Sequence, residues 1–475
     1  MSLISLKFIL FMATLLILYY RVPERFQWQV LLLGSLCFYA FAGPHFLIFL
    51  GISILSTFFL MRNPTKPRLL LVFAISLGLL IFFRYSIYFG MKSIAVPLGI
   101  SFYTFMTLGY ALDCYDKKIT PCESLPRYAL FISYFPQITQ GPIGTYKAMS
   151  KELSARHPFD PESIKAGGYR VLIGWFKKLV IAGRLSFYVD TVFSNPEGYG
   201  GLTLITATFF YAFELYADFS GYMDIACGIS QMLGIKLSEN FNRPYFSRNI
   251  PEYWRRWHIT LNEWFSAHLF MPAVTSKWNK KAANGMHKLF PFAKKGTLRM
   301  ILPLILVWIT TGIWHGAEAV YIGWGVYFAI IMLLSFCTQS MVRSFSEKNG
   351  WNPEHPLARI FQVVRTFLIV CTGEVMFRAE SMKDAFSIYR SIFTKTRLNA
   401  SSIAEALVPF GNGNQAAASV LILSALLFGL FFVEFRKEQD PKAFTCHRYL
   451  YAGVFLVLTA LLGSPGQSSF MYQAF

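Results

Sequence analysis

The chain has 475 residues, 55% of them apolar and only 15% charged. Soluble proteins carry about 25% charged residues, so this composition, with a mean hydropathy of +0.44, excludes an ordinary soluble globular domain. A net charge of +19 would fit a nucleic-acid binder, but the basic residues lie in short loops between apolar runs, the positive-inside pattern of membrane proteins.

Apolar stretches recur at 3–20, 27–50, 69–89, 94–112, 169–193, 202–217, 300–314, 319–337, 416–433 and 449–463. A bilayer span takes about 20 predominantly apolar residues. The fold class is therefore all-α, a polytopic transmembrane bundle whose solvent is the lipid bilayer. The first run lacks a basic leader segment, and "LILYYRVPERF" offers no small-residue cleavage site; it is expected to remain as a helix. "MRNPTKPR" (61–68) carries three basic residues and no acid, and 276–299 carries seven Lys/Arg and no acid. These loops, with net-basic 435–448, are expected to face the cytoplasm. That parity starts the first helix outside and brings the last segment to the outer side. The seven cysteines are scattered without metal-ligand spacing, so neither a disulfide framework nor a metal site is expected.

Between 130 and 275 the pattern changes. "ISYFPQITQGPIGTYK" (132–147) places two prolines and two glycines in an otherwise apolar span. Irregular backbone at membrane depth is tolerated only inside protein or along a cavity, which predicts a broken or re-entrant segment. "FFYAFELYADFSGYMDIACGISQML" (209–233) then puts Glu214, Asp218 and Asp224 in a stretch fit to span. Glu214 and Asp218, four apart, share a helix face. They form either a hydrogen-bond network tying helices together or a polar substrate path.

In "NFNRPYFSRNIPEYWRRWHITLNEWFSAHLF" (240–270), Pro251 and Glu252 suit a first helical turn. Trp254, Trp257, Leu261 and Trp264 read as a packing stripe at helical spacing, and His258 with Asn262 as an i, i+4 pair on one helix. Tryptophan and arginine are typical of the interface, so this helix is expected to lie in or dip into the membrane.

"TTGIWHGAEAV" (310–320) places His315 within an apolar run. A polar or charged group there costs up to roughly 2.5–3.5 kcal/mol and by default marks function. The alternative is a buried histidine bonded to a neighbouring helix. No G-x-S-x-G, H-E-x-x-H or phosphate-loop motif occurs. A neutral imidazole in a low-dielectric site takes a proton from a hydroxyl, an arrangement suited to acyl transfer to an alcohol.

The order "YFPQITQGPIGTYK", "ELYADFSGYMDIACGISQMLGIKLSENFNRPYFSRNIPEYWRRWHITLNEWF" and "TGIWHGAEAVYIGWG" resembles the membrane-bound O-acyltransferase family. It is similar above all to the bacterial branch acting on envelope polymers: alginate and peptidoglycan O-acetylases and the D-alanyl transferase of teichoic acids. The resemblance spans residues 95 to 475 and implies catalytic roles for His315, in the W-H-G motif with Trp314, and for His258, in R-W-H-x-(T/S)-L. Gln137 stands where alginate-type members often carry a histidine. The family implies one membrane domain over 1–475: N-terminal helices in 1–93, a catalytic core in about 94–345, and C-terminal helices with an outer tail in 346–475. It implies a ring of about eleven helices or more around a thinned centre, a cytoplasmic funnel and a narrow tunnel to the outer face. Asn262, Trp314, Asp218 and Glu214 would bind the donor or line that tunnel.

No bound cofactor is implied; acetyl-CoA is the favoured acyl donor substrate. Basic inner loops would attract an anionic CoA or acyl-carrier protein. An esterase-like (SGNH) acyltransferase would be the extracytoplasmic partner, a cell-envelope polysaccharide the acceptor, and the bacterial plasma membrane the location. The tail "SPGQSSFMYQAF" (464–475) has the spacing F-x-Y-x-x-F, similar to the C-terminal motif of envelope O-acetylases. That likeness implies Tyr472 as a transient acyl carrier; the plain alternative is a tail with interfacial aromatics. Two other readings compete: D-alanyl transfer from a carrier protein, and a transporter relaying protons through Glu214, Asp218 and His315. Paired broken helices in internal repeats would favour the transporter, and the two halves show no repeat.

Overall fold

The computed structural model describes residues 3–85, 95–289, 294–350, 352–411, 413–440 and 448–463. Tyr472, Phe470 and Phe475 lie outside the described residues. Five helices open the chain: α1 (Leu6–Arg21), α2 (Gln27–Ala40), α3 (Phe46–Leu60), α4 (Lys66–Tyr85) and α5 (Ile100–Tyr115). Three short ones follow, α6 (Leu125–Ser133), α7 (Phe135–Ile138) and α8 (Tyr146–Ser154). α9 (Pro161–Trp175) runs through a π-helical stretch, Phe176–Ala182, into α10 (Gly183–Phe193). α11 (Gly201–Met232) precedes a second short set: α12 (Ile250–Arg256), α13 (Ile259–Phe265), α14 (Met271–Thr275) and α15 (Lys277–Leu289). Three long helices, α16 (Lys295–His315), α17 (Ala319–Lys348) and α18 (Pro356–Arg378), lead to α19 (Met382–Lys395) and α20 (Ala400–Leu407). The final pair is α21 (Asn414–Gln439) and α22 (Arg448–Leu462).

Among the described residues, α4, α16, the first two thirds of α17, α18 and α21 are long and apolar enough to cross a membrane. Their outward faces carry large apolar side chains, such as Leu421 and Phe428 on α21 and Leu357 on α18. Patches this apolar belong against lipid rather than water. The chain is a multi-pass membrane protein.

The interior is built differently. α11 is buried all round from Glu214 to Met223 and α5 from Ile100 to Ala111, so these two helices form the core that lipid does not reach. α9 crosses α11 on glycines: a Cβ on Gly174 would stand 2.5 Å from the Gly221 carbonyl, and one on Gly228 would stand 2.6 Å from that of Gly167. Any larger residue would force the helices apart, and small residues at such crossings are how membrane helices gain packing contacts.

The segment expected to break does so. Residues 130–144 are wholly buried, and the helix stops at Ser133, restarts at Phe135 and ends again at Ile138. Neighbouring side chains satisfy the freed backbone. The Phe135 amide donates to Ser35 Oγ at 3.2 Å, and the Ile143 amide donates to Thr260 Oγ1 at 2.9 Å. Gln137 donates through Nε2 to the Pro142 carbonyl at 3.0 Å, so its side chain props the same break.

Candidate active site

α16 is about 30 Å long at the helical rise. It starts at the basic loop and ends on His315, which is 4% exposed. Its last carbonyls have no partners within the helix. Arg84 and Tyr85, at the end of α4, supply them: Arg84 donates to the His315 carbonyl and Tyr85 Oη donates to that of Ile313 at 2.5 Å. Arg84 also donates to Ser101 Oγ at 3.1 Å, tying α16 to the buried helix α5. The imidazole lies among aromatic rings, with centroids 4.7 Å from Trp314, 4.9 Å from Phe377 and 5.1 Å from Trp324.

His258 is held in another way. The helix expected to run unbroken through "RRWHITLNEWF" is two helices, α12 and α13, parted at Trp257 and His258. The cause is long-range backbone pairing. Phe241 and Trp257 form an antiparallel bridge, the Asn242 amide donates to the Arg256 carbonyl at 2.9 Å, and the Ile259 amide donates to the Asn240 carbonyl at 3.0 Å. His258 is thereby driven to φ 45°, ψ 52°, the left-handed region. For a residue with a side chain this costs about 1–3 kcal/mol, and such strain concentrates at functional sites.

Asn240 fixes the imidazole. Its Oδ1 accepts from the Thr260 amide and from Thr260 Oγ1, each at 3.0 Å, and lies 3.3 Å from His258 Nδ1. Because an amide N–H must donate, that atom of Asn240 is the oxygen, and His258 Nδ1 carries the proton. Nε2 then holds the lone pair and has no hydrogen-bond partner among the described residues. The indole N–H of Trp314 is likewise buried without a partner among them. The Trp314 ring, 4.7 Å from His315, is 6.3 Å from His258, so one indole is shared by the two imidazoles. Phe219, near the middle of α11, closes the other side of His258 at 4.9 Å, edge to face.

The remaining expected residues are placed elsewhere. Asn262 does not share a face with His258; it is exposed and donates through Nδ2 to the Trp254 carbonyl at 2.9 Å, satisfying the end of α12. His258 caps α13 and its carbonyl accepts from the Asn262 amide at 3.2 Å, but its left-handed backbone takes its side chain out of the helical register on which that pairing depended. Asp218 pairs with the fully buried Lys178 of the π-helical stretch. Asp224 pairs with Lys177 at 2.9 Å and Arg170 at 3.0 Å. Glu214 is buried one turn before Asp218. The supposed tryptophan stripe splits three ways: Trp254 packs on Trp308 and Phe328, Trp257 on Phe241, and Trp264 on Phe105.

Sequence reading missed Arg84, Lys178 and Asn240. Arg84 and Lys178 could have been flagged as cations within apolar runs. Asn240 carries no such signal.

A family model described as MBOAT, membrane-bound O-acyltransferase family, matches residues 122–290, a range that holds His258 but not His315. A protein of Pseudomonas aeruginosa described as a probable alginate O-acetylase is 30% identical over 463 residues, covering 91% of this chain and 82% of that one. A peptidoglycan O-acetyltransferase of Helicobacter pylori is 29% identical, covering 76% of this chain and 73% of its own length. A teichoic acid D-alanyltransferase of Bacillus subtilis is 29% identical over a shorter stretch, 59% of this chain and 68% of that one.

Proposed function

Because this chain belongs to the membrane-bound O-acyltransferase family and is an O-acyltransferase, we propose that it moves an acetyl group from a cytoplasmic thioester, acetyl-CoA, across the membrane for O-acylation of an extracytoplasmic envelope polysaccharide. The acetyl donor is favoured over D-alanyl because the likeness to O-acetylases runs over more of the chain than the likeness to the D-alanyltransferase. The acceptor polymer is assigned as a class by the same relatives. The catalytic core in this reading lies within about 94–345, which holds both histidines.

One observation carries the reading: two buried imidazoles from separate elements converge on one indole, and His258 Nε2 and Trp314 Nε1 have no hydrogen-bond partner among the described residues. A substrate supplies such partners. In the proposed reaction His315 takes the proton from an attacking hydroxyl. The oxygen bonds to the thioester carbonyl carbon, the carbon–sulfur bond breaks, and the proton passes to the leaving thiolate. His258 does not polarise the carbonyl, because the tautomer set by Asn240 leaves Nε2 an acceptor. It positions the donor instead, accepting from an amide N–H of the pantetheine arm. Tyr472 is proposed as the first acceptor hydroxyl, carrying the acyl group to an outer esterase-like partner. Its phenol, with a pKa near 10, needs the base to become nucleophilic.

The test is single-turnover thioester cleavage by the full chain in detergent, with acetyl-CoA and a D-alanyl carrier protein compared side by side. Acetyl-CoA is expected to be cleaved, and mass spectrometry should then find the acyl mass on the peptide containing Tyr472. Cleavage of the carrier thioester alone would make the protein a D-alanyltransferase, and cleavage of neither would overturn both donor assignments. An unmodified peptide, with full activity in Tyr472→Phe, would leave direct transfer to the outer acceptor.

A further inference from the structure

Between the end of α17 and the start of α18 lies a cavity of about 690 Å³ whose remaining wall is Arg248–Pro251 and Arg255, at and just before α12. This lies within the range of about 300–1,000 Å³ typical of small-molecule clefts. Its apolar wall includes Ile331 and Leu334 of α17 and Ile369 of α18. Three guanidinium groups also line it, Arg248, Arg255 and Arg365, and among the described residues no carboxylate does. Two smaller cavities, about 220 and 250 Å³, offer a contrast: both also hold cations, but both are lined by Glu434, which offsets that charge.

The three arginines are not equally committed. Arg248 donates to Glu354 Oε1 at 2.7 Å, outside the lining. Hydrogen bonds from Arg359 and Arg248 hold the Glu354 carboxyl below the usual carboxylate range. Arg365 donates through Nη2 to the Arg248 carbonyl at 2.9 Å, a neutral acceptor. Arg255 is exposed and ion-pairs with no carboxylate among the described residues.

Depth decides what fits. The apolar span of α17 ends at Gln339, and the cavity lines α17 from Ile331 to Val342, so it straddles the boundary between hydrocarbon and headgroups. Apolar at one end and cationic at the other, it opens at the face that the basic loops assign to the cytoplasm.

We propose that this cavity binds an anionic phospholipid of the inner leaflet, its phosphate on Arg255 and Arg365 and its acyl chains along Ile331, Leu334 and Ile369. The site is separate from the histidine centre: none of the residues lining it is among the rings described against His258 or His315. The lipid would brace the inner ends of α17 and α18, and α17 and α18 carry Trp324 and Phe377 against His315.

The full chain in nanodiscs of equal phosphatidylglycerol and phosphatidylcholine, released for native mass spectrometry, should retain phosphatidylglycerol. Arg255→Gln with Arg365→Gln should weaken that retention about tenfold or more, while Arg359→Gln, outside the cavity, should not. Equal retention of both lipids, or unchanged retention in the double variant, would overturn the proposal. Displacement of the lipid by free CoA would also overturn it and make the arginines part of the donor path. If the double variant fails to fold, a photoactivatable phosphatidylglycerol on the wild-type chain gives the answer: crosslinks on α17 and α18 support the site, and crosslinks confined elsewhere overturn it.

Discussion

His315 ends a regular helix of 21 residues, whereas His258 sits at a strained break between two helices of seven. The first is positioned by helix geometry and aromatic packing, with its carbonyl tied to Arg84. The second is held through its ring by Asn240 and through its backbone by pairing with 240–242. The difference teaches that burial alone does not assign a role. At His258 a hydrogen-bonded amide chooses the tautomer, and with it the chemistry open to Nε2.

The sharpest way to separate the two is to remove each ring. His315→Ala should lower transfer by about 10²–10⁴-fold with membrane insertion unchanged. His258→Ala should mainly raise KM for the thioester, because it removes a group that positions the donor. A folded His315→Ala protein with near-normal turnover would take the base role away from that position. If the kinetic signatures were exchanged, so would be the roles.

Next in size are the buried acids of α11. Lys178→Ala leaves Asp218 as a buried charge without its partner and should destabilise the protein by about 3–5 kcal/mol. Asp218→Leu combined with Lys178→Met removes both charges and should recover most of that loss, with substantial transfer retained. A stable but inactive double variant would move the pair from scaffold to chemistry.

Asn240→Ala strips the acceptor from Thr260 and from His258 Nδ1 together. Each buried donor left unmet costs about 1–3 kcal/mol, so thermal stability should fall and turnover with it. An Asn240→Ala protein with wild-type melting and wild-type KM would dissolve the contrast drawn between the two histidines. The smallest effect is expected at Asn262. Its one described hydrogen bond is exposed, so Asn262→Ala should cost about 1 kcal/mol or less and leave turnover close to wild type. A large loss of turnover there would show that Asn262 contacts substrate.

Much of this molecule was legible before any coordinates. Low charge, long apolar runs and basic loops determine a multi-pass helical bundle, because each follows from the cost of putting polar groups in hydrocarbon. The same cost exposed the broken segment at 132–147 and made His315 conspicuous within its run. These are local or compositional signals, and a sequence carries them openly.

Only the tertiary structure decided the rest. Helical periodicity relates residues three and four positions apart, and on that basis 250–265 reads as a single helix with His258 above Asn262. The backbone instead pairs with Asn240 and Asn242, an interaction that closes only when the loop between them folds back. Arg84 meets the His315 carbonyl across 231 positions, Lys178 meets Asp218 across 40, and Asn240 meets His258 across 18. At those separations no periodicity links the partners. Their contacts arise when the helices pack around α5 and α11, where buried polar groups find partners that their own helix cannot supply.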